Sequence, residues 1–257
     1  METSVNRNME ENQLDKLYTD TKRNGAFRGI RAFHRDCKAA GLDITIKKVK
    51  EFFSRVNAYN LYRPVRRKFE RNPIYAHNVD QQWQADLADM NLLQDANDGH
   101  RYILTVVDTL SKYAFAEPIK KKNGPEVAQA FKRILNKAKP RKPTRLQTDK
   151  GKEFYNIDFK KACAGIQHFS SESDQKAAGV ERFNRTIKTL LYRFMRHNST
   201  TRWIDALDEF VEGYNATIHS RLGVSPDDAI TMRNSPEKVA QLFKKTIRTQ
   251  GHKGTPA

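Results

Sequence analysis

Two cysteines, Cys37 and Cys163, leave no material for a disulfide framework or a four-cysteine zinc site. No apolar run is long enough to cross a bilayer, and none follows the polar opening of residues 1–13, so an intracellular protein is expected. The chain has no internal repeat, no low-complexity tract and no glycine loop of the kind that cradles nucleotide phosphates. Its seven histidines show no ligand spacing. Acid is scarce relative to base: 30 Asp and Glu face 47 Lys and Arg, for a net charge of +17. Such an excess points to a polyanionic partner, because neutralising phosphates releases their counterions. An anionic membrane surface is disfavoured by the lack of a basic amphipathic helix near either terminus. Hydrophobic residues make up only 38% of the chain, yet they cluster in periodic segments that can build a core.

Residues 1–13 read as a disordered polar tail and residues 14–62 as a helical region. Phe27, Ile30, Arg31 and His34 mark one face of a helix that Gly41 can end. Thr45 can cap a second helix carrying Ile46, Val49, Phe52, Phe53 and Val56. The pair suits a DNA-binding helix-turn-helix and equally suits a small helical bundle. Residues 63–74 form a basic linker, and its stretch Arg63–Arg71 is either a backbone-tracking or nuclear-import segment or a solvated connector.

From residue 75 the pattern changes to short strands and helices. Trp83–Met90 alternates apolar and polar residues, as a half-buried strand does. Tyr102–Val107 is β-branched and apolar, a central strand, and Tyr113–Ala116 is a third strand that Pro118 ends. Asp98-Gly99 supplies the first turn and Thr109–Lys112 the second. A helix over Pro125–Lys137 is followed by strands at Arg145–Thr148 and Ile166–Phe169. Helices at Ala177–His197 and Trp203–Ile218 complete the core, residues 75–232, and a short helix and disordered tail follow over 233–257. This order describes an α/β fold, a mixed sheet flanked by helices.

Three carboxylates stand in distinctive surroundings. Asp86 lies mid-strand, where aspartate is unfavourable; Asp149 directly follows a strand; Glu181 sits in the first turns of the long helix. Singly, each has a plain structural explanation: a solubility device, a turn residue, a complement to the helix dipole. Together they can converge from different elements on divalent metal, which demands hard oxygen ligands. Asp89, Asp95, Asp98 and Asp108 read as turn or structural acids, and Glu153 as support for the Asp149 loop.

These residues and their neighbours resemble the retroviral-type integrase catalytic core, which has an RNase H-like fold. The resemblance runs from about Tyr75 to Ile230, through Trp83-Gln84-Ala85-Asp86, Val106-Val107-Asp108 and Ser111–Ala114. It continues through Thr148–Phe154, Val180–Thr186, Tyr214-Asn215, His219 and Pro226. The wording is most similar to integrases of Polinton/Maverick transposons and related transposon-derived genes. The resemblance implies a DNA integrase or transposase performing metal-dependent 3′-end processing and strand transfer. Asp86, Asp149 and Glu181 would hold two Mg2+ or Mn2+ ions and carry catalysis. Lys150, Lys152, Lys176, Arg182, Arg185 and Lys188 would contact DNA phosphates, with a solvated helix face as the plainer alternative. Double-stranded DNA, a homo-oligomer assembled on it and a nuclear location follow from the same likeness.

The chain departs from the family pattern in two ways. Only 31 residues separate Asp149 from Glu181, a few fewer than usual, with the deficit around Phe154–Gln167. A lost helical turn shortens a helix by about 5.4 Å. No β-barrel or chromodomain-like module follows residue 240, and His34 with Cys37 cannot make the zinc domain of retroviral relatives. These departures motivate two alternatives: a decayed or truncated transposon-derived DNA-binding protein, and a nuclease that hydrolyses without joining.

Overall fold

The computed structural model describes residues 12–62, 76–170 and 177–248. The basic stretch Arg63–Arg71, Lys176, residues 249–257 and most of the expected N-terminal tail lie outside the described residues. The chain divides into two compact units, residues 1–68 with 186–214 and residues 69–185 with 215–257. Residues 186–214, grouped with the core on sequence grounds, thus belong with the N-terminal helices.

In the first unit, helix α1 (residues 12–19) precedes α2 (Ile30–Ala39), α3 (Ile46–Arg55) and α4 (Asn57–Leu61). Thr45 caps α3 by accepting from Lys48 N–H, and Gly41, at φ +79°, follows the end of α2 as expected of a left-handed stop. The buried face of α2 differs from the sequence reading: Phe33 and Cys37 are inside, whereas Phe27 precedes the helix at φ 51°. His34 meets the Ile44 carbonyl through Nε2 at 2.9 Å, a structural contact that ties α2 to the turn. The core is aromatic: Tyr18 has its ring centroid 5.1–5.9 Å from those of Phe27, Phe33, Phe52 and Phe53. Arg193 Nη1 donates to the Phe27 carbonyl at 2.8 Å, and its guanidinium lies over Tyr59 at 4.4 Å.

The second unit is built on a five-stranded sheet of order β3-β2-β1-β4-β5. Strands β1 (Gln82–Asp89), β2 (Tyr102–Asp108) and β3 (Ala114–Ile119) run antiparallel to one another in sequence. Strands β4 (Arg145–Thr148) and β5 (Gln167–Ser170) add parallel beyond β1. β1 is therefore the middle strand, with β2 interior beside it. A 3-10 helix, Asn91–Asn97, lengthens the β1–β2 connection ahead of the left-handed pair Asp98-Gly99. β3 does not stop at Pro118: it carries the proline opposite Ile103 and ends at Ile119. An edge strand tolerates this, because the missing N–H costs no ladder bond on the open side.

Helix α5 (Gly124–Ala138) starts at Asn123, whose side chain accepts from Glu126 N–H, with Pro125 in its first turn. With α6 (Ile157–Ala162) it covers one sheet face, burying Trp83, Ala85, Leu104, Val106 and Leu146 against Phe131, Ile134 and Phe159. These strand residues alternate with Gln84, Asp86, Thr105 and Gln147, which point to the opposite face. That face meets the first turns of α7 (Ala178–His197), so β1 is covered on both sides rather than half-buried. Asn215, at the end of α8 (Leu207–Ala216), clamps the Ala114 backbone with two hydrogen bonds of 2.9 Å. Beyond α9 (Pro226–Thr231), the 13-residue α10 (Pro236–Arg248) replaces the short helix expected there. It packs Val239 and Leu242 with Leu110, Leu222 and Ala229 in a second apolar cluster.

Candidate active site

Asp86 stands on the middle strand opposite Thr105 of β2, on the sheet face that carries Gln84. Its Oδ1 accepts from Leu87 N–H at 2.8 Å and its Oδ2 from Asn184 Nδ2 at 2.8 Å. Asp149 leaves the end of β4, the parallel neighbour of β1, and its Oδ1 accepts from Gly151 N–H at 3.0 Å. Glu181 is in the first turn of α7. Parallel pairing brings the ends of β1 and β4 to the same side of the sheet, and the start of α7 lies over β1.

Electrostatics records the proximity of the three acids. The Asp86 carboxyl is pushed up to about 6, first by burial, with the Leu87 N–H opposing. The charges of Asp149 and Glu181 raise it further, and Lys122 partly offsets them. A site of mutually repelling carboxylates on rigid elements has the donor chemistry for a hard divalent cation. Among the described residues, no three His, Cys, Asp or Glu side chains are already arranged to hold a metal ion.

Glu153 is buried and ion-paired with Lys122 Nζ at 2.9 Å. A Cβ on Gly151 would come within 2.5 Å of the Glu153 carboxyl, so Glu153 lies directly against the loop that holds Asp149. The Glu153 hydrogen bond, with further help from Asp149, raises the Lys122 pKa above the ordinary lysine value. Asp108 is structural, as its sequence context suggests: it accepts from the backbone N–H groups of Asp80, Leu110 and Ser111 and from the Ser111 hydroxyl.

Of the expected phosphate contacts, Lys150, Lys152, Arg182 and Arg185 are exposed near the acids in sequence. Lys188 is half-buried and belongs to the other unit, and Lys176 lies outside the described residues. Lys122, Gln84, Gln147 and Asn184 were not singled out by the sequence. Lys122 is hidden in a run of three lysines. The others carried a readable signal: Gln82, Gln84 and Asp86 alternate on one strand face, and Asn184 follows Glu181 by one helical turn.

The sheet order and flanking helices make this a mixed α/β fold, with one acid each on β1, after β4 and at the start of α7. Residues 76–172 match the family model described as the integrase core domain. A transposon-derived protein of Caenorhabditis elegans is 35% identical over 141 residues, 54% of this chain. The match covers 49% of that curated relative, so the chain spans about half its length. Among solved structures, a chain of the simian T-cell lymphotropic virus intasome in complex with PP2A regulatory subunit B56 gamma aligns with a TM-score of 0.55. It is 18% identical, and the alignment covers 73% of this chain and 67% of that one. The HTLV-2 integrase catalytic core domain in complex with magnesium aligns with a TM-score of 0.50 and 21% identity, covering 59% of this chain and 97% of that one. At these identities the structural likeness establishes the fold.

Proposed function

We propose that this protein is a DNA integrase or transposase that uses Asp86, Asp149 and Glu181 to hold divalent metal for 3′-end processing and strand transfer. The observation that carries this reading is the placement of the three acids: Asp86 on the middle strand, Asp149 just after the parallel strand β4, and Glu181 in the first turn of α7, which Gln84 and Asn184 tie to β1. Asp86 and Asp149 would be the first ligands, and Glu181 would complete the set from α7. When bound, a pair of Mg2+ or Mn2+ ions supplies activation of a water or a DNA 3′-hydroxyl and stabilisation of the leaving oxygen.

The protein's own part is positioning. Asn184 and the Leu87 N–H hold both Asp86 oxygens, and Gly151 holds Asp149. Lys122 offsets charge beside the acids, and the exposed Lys150, Lys152, Arg182 and Arg185 would hold DNA phosphates without reading sequence. In the helical unit, α3 presents exposed Lys47, Lys48 and Lys50, a basic face suited to duplex DNA. The homo-oligomer on paired DNA ends and the nuclear site of action rest on the same reading. No helix among the described residues is long and apolar enough to cross a membrane.

A second reading, a DNA-binding protein without catalysis, is motivated by the shortened interval of 31 residues between Asp149 and Glu181. Incubating the full chain with a labelled oligonucleotide duplex in Mn2+ separates the two. Cleaved and joined products that disappear in Asp149→Asn support the enzyme. Cleavage without joining indicates a nuclease, and DNA binding without products indicates the silent binder.

A further inference from the structure

Three glutamines are buried beside the acids: Gln82, Gln84 and Gln147 are 5%, 2% and 1% exposed. Such amides are costly inside a protein unless hydrogen-bonded. In the parallel register of β1 and β4, Gln84 stands opposite Gln147, and its Nε2 donates to Gln147 Oε1 at 3.0 Å. Gln82 Nε2 donates to the same oxygen at 3.0 Å. Gln84 Oε1, in turn, accepts from the N–H groups of Gly179 at 3.0 Å and Val180 at 3.3 Å. These donors open α7, where the first N–H groups of a helix have no partner within it. One amide bridge therefore links β1, β4 and the start of α7.

Its members sit at a constant offset from the acids. Asp86 follows Gln84 by two residues, Asp149 follows Gln147 by two, and Glu181 follows Gly179 by two. On an extended strand an offset of two returns to the same face, so Gln84 and Asp86 point together. The bridge also explains Gly179. A Cβ there would lie 2.5 Å from Gln84 Oε1, and with Gln84 buried and held at both ends that oxygen has little room to retreat.

We propose that Gln84 and Gln147 are positioning residues, whose amide bridge sets the spacing of the three segments that present Asp86, Asp149 and Glu181 to a divalent cation. This rests on the catalytic reading above. It also ties the start of α7 to the sheet directly, and not only through the shortened chain between Asp149 and Glu181.

The test is Mn2+ binding by calorimetry in the 257-residue chain at 25 °C, beside thermal melting in metal-free buffer. Gln84→Met and Gln147→Met remove the bridge while keeping side-chain length. Each is expected to weaken Mn2+ binding by about tenfold, the scale for groups that orient metal ligands. The double variant is expected to be little worse than the weaker single one, because both break the same bridge. Gly179→Ala, which crowds Gln84 with one methyl, provides the same readout if a methionine variant does not fold. Folded variants whose Mn2+ Kd stays within about twofold of wild type, whatever their Tm, overturn the proposal and leave the glutamines a purely structural role. Wild-type protein showing no Mn2+ binding sensitive to Asp149→Asn overturns the catalytic reading itself, an outcome distinct from failure of the bridge alone.

Discussion

Asn184 faces two ways: its Nδ2 donates to Asp86 Oδ2 at 2.8 Å, and its Oδ1 accepts from the Thr105 hydroxyl at 2.5 Å. Thr105 is the cross-strand partner of Asp86, and its hydroxyl oxygen lies 3.1 Å from the Asp86 carbonyl oxygen. One helical turn after Glu181, this side chain fixes the orientation of the Asp86 carboxylate. Replacing it with alanine leaves one Asp86 oxygen without that donor. On the proposed catalytic reading, Asn184→Ala is expected to lower the rate of metal-dependent DNA cleavage and joining by roughly 10- to 100-fold and to raise the Mg2+ concentration needed for half-maximal rate. Unchanged metal dependence in single-turnover kinetics would argue against the orienting role.

Asp86 also gives a pH signature in metal-free protein. Its folded value of about 6 lies above the ordinary aspartate value, so the folded state binds the proton more tightly than the unfolded chain. The associated stability is fully present below about pH 4 and is lost as pH rises to about 6. Asp86→Asn removes this titration. Relative to wild type, the variant is expected to gain stability between pH 4 and about 6 and to hold a constant offset above. Melting curves across that range check it; a flat difference contradicts the shift. Excess Mg2+ should stabilise wild type at neutral pH and leave the variant little changed.

Arg141 supports the start of β1. It pairs with Asp80 through Nη2 at 2.7 Å and Nε at 3.0 Å, and its guanidinium lies 4.8 Å from the Tyr113 ring centroid. Asp80 also accepts from Trp83 Nε1 at 2.9 Å, and both pair members are largely buried. Arg141→Met strands the carboxylate and is expected to cost about 3 kcal/mol, lowering Tm by roughly 6–12 °C. Arg141→Lys keeps the charge but loses the fork and the stacking, and should fall between the two. A methionine variant as stable as wild type in urea melts would refute the assignment.

The exposed bases near the acids should act through phosphates. Lys150→Ala and Arg185→Ala are each expected to reduce the salt dependence of DNA binding by about one unit of slope, equally for all sequences. Binding titrations over a salt series decide it. A variant that alters sequence preference at constant slope would point to base contact instead.

Local chemistry made much of the fold legible in advance. Thr45 and Pro125 announced the helices they begin, and the apolar run from Tyr102 marked β2. Asp86, Asp149 and Glu181 drew attention only as a set, since each alone has a plain structural explanation. What stayed hidden depended on tertiary cover. The alternation put Gln84 and Asp86 on one strand face, but nothing local says that α7 lies over it and buries the amide. The inward face of α2 was misassigned because Phe27, with its positive φ, stands outside the helical period. Pro118 seemed to end β3, since whether a strand lies at an edge is a property of the whole sheet. Helix α10 was underestimated because its apolar face, Val239 and Leu242, has meaning only against Leu110 and Leu222.

The most direct test of the central claim is a crystal of the protein soaked in Mn2+, with diffraction recorded at the manganese edge. An anomalous peak coordinated by carboxylate oxygens of both Asp86 and Asp149, and absent from an Asp149→Asn crystal, is expected. Manganese bound elsewhere, or held without Asp86, would contradict it.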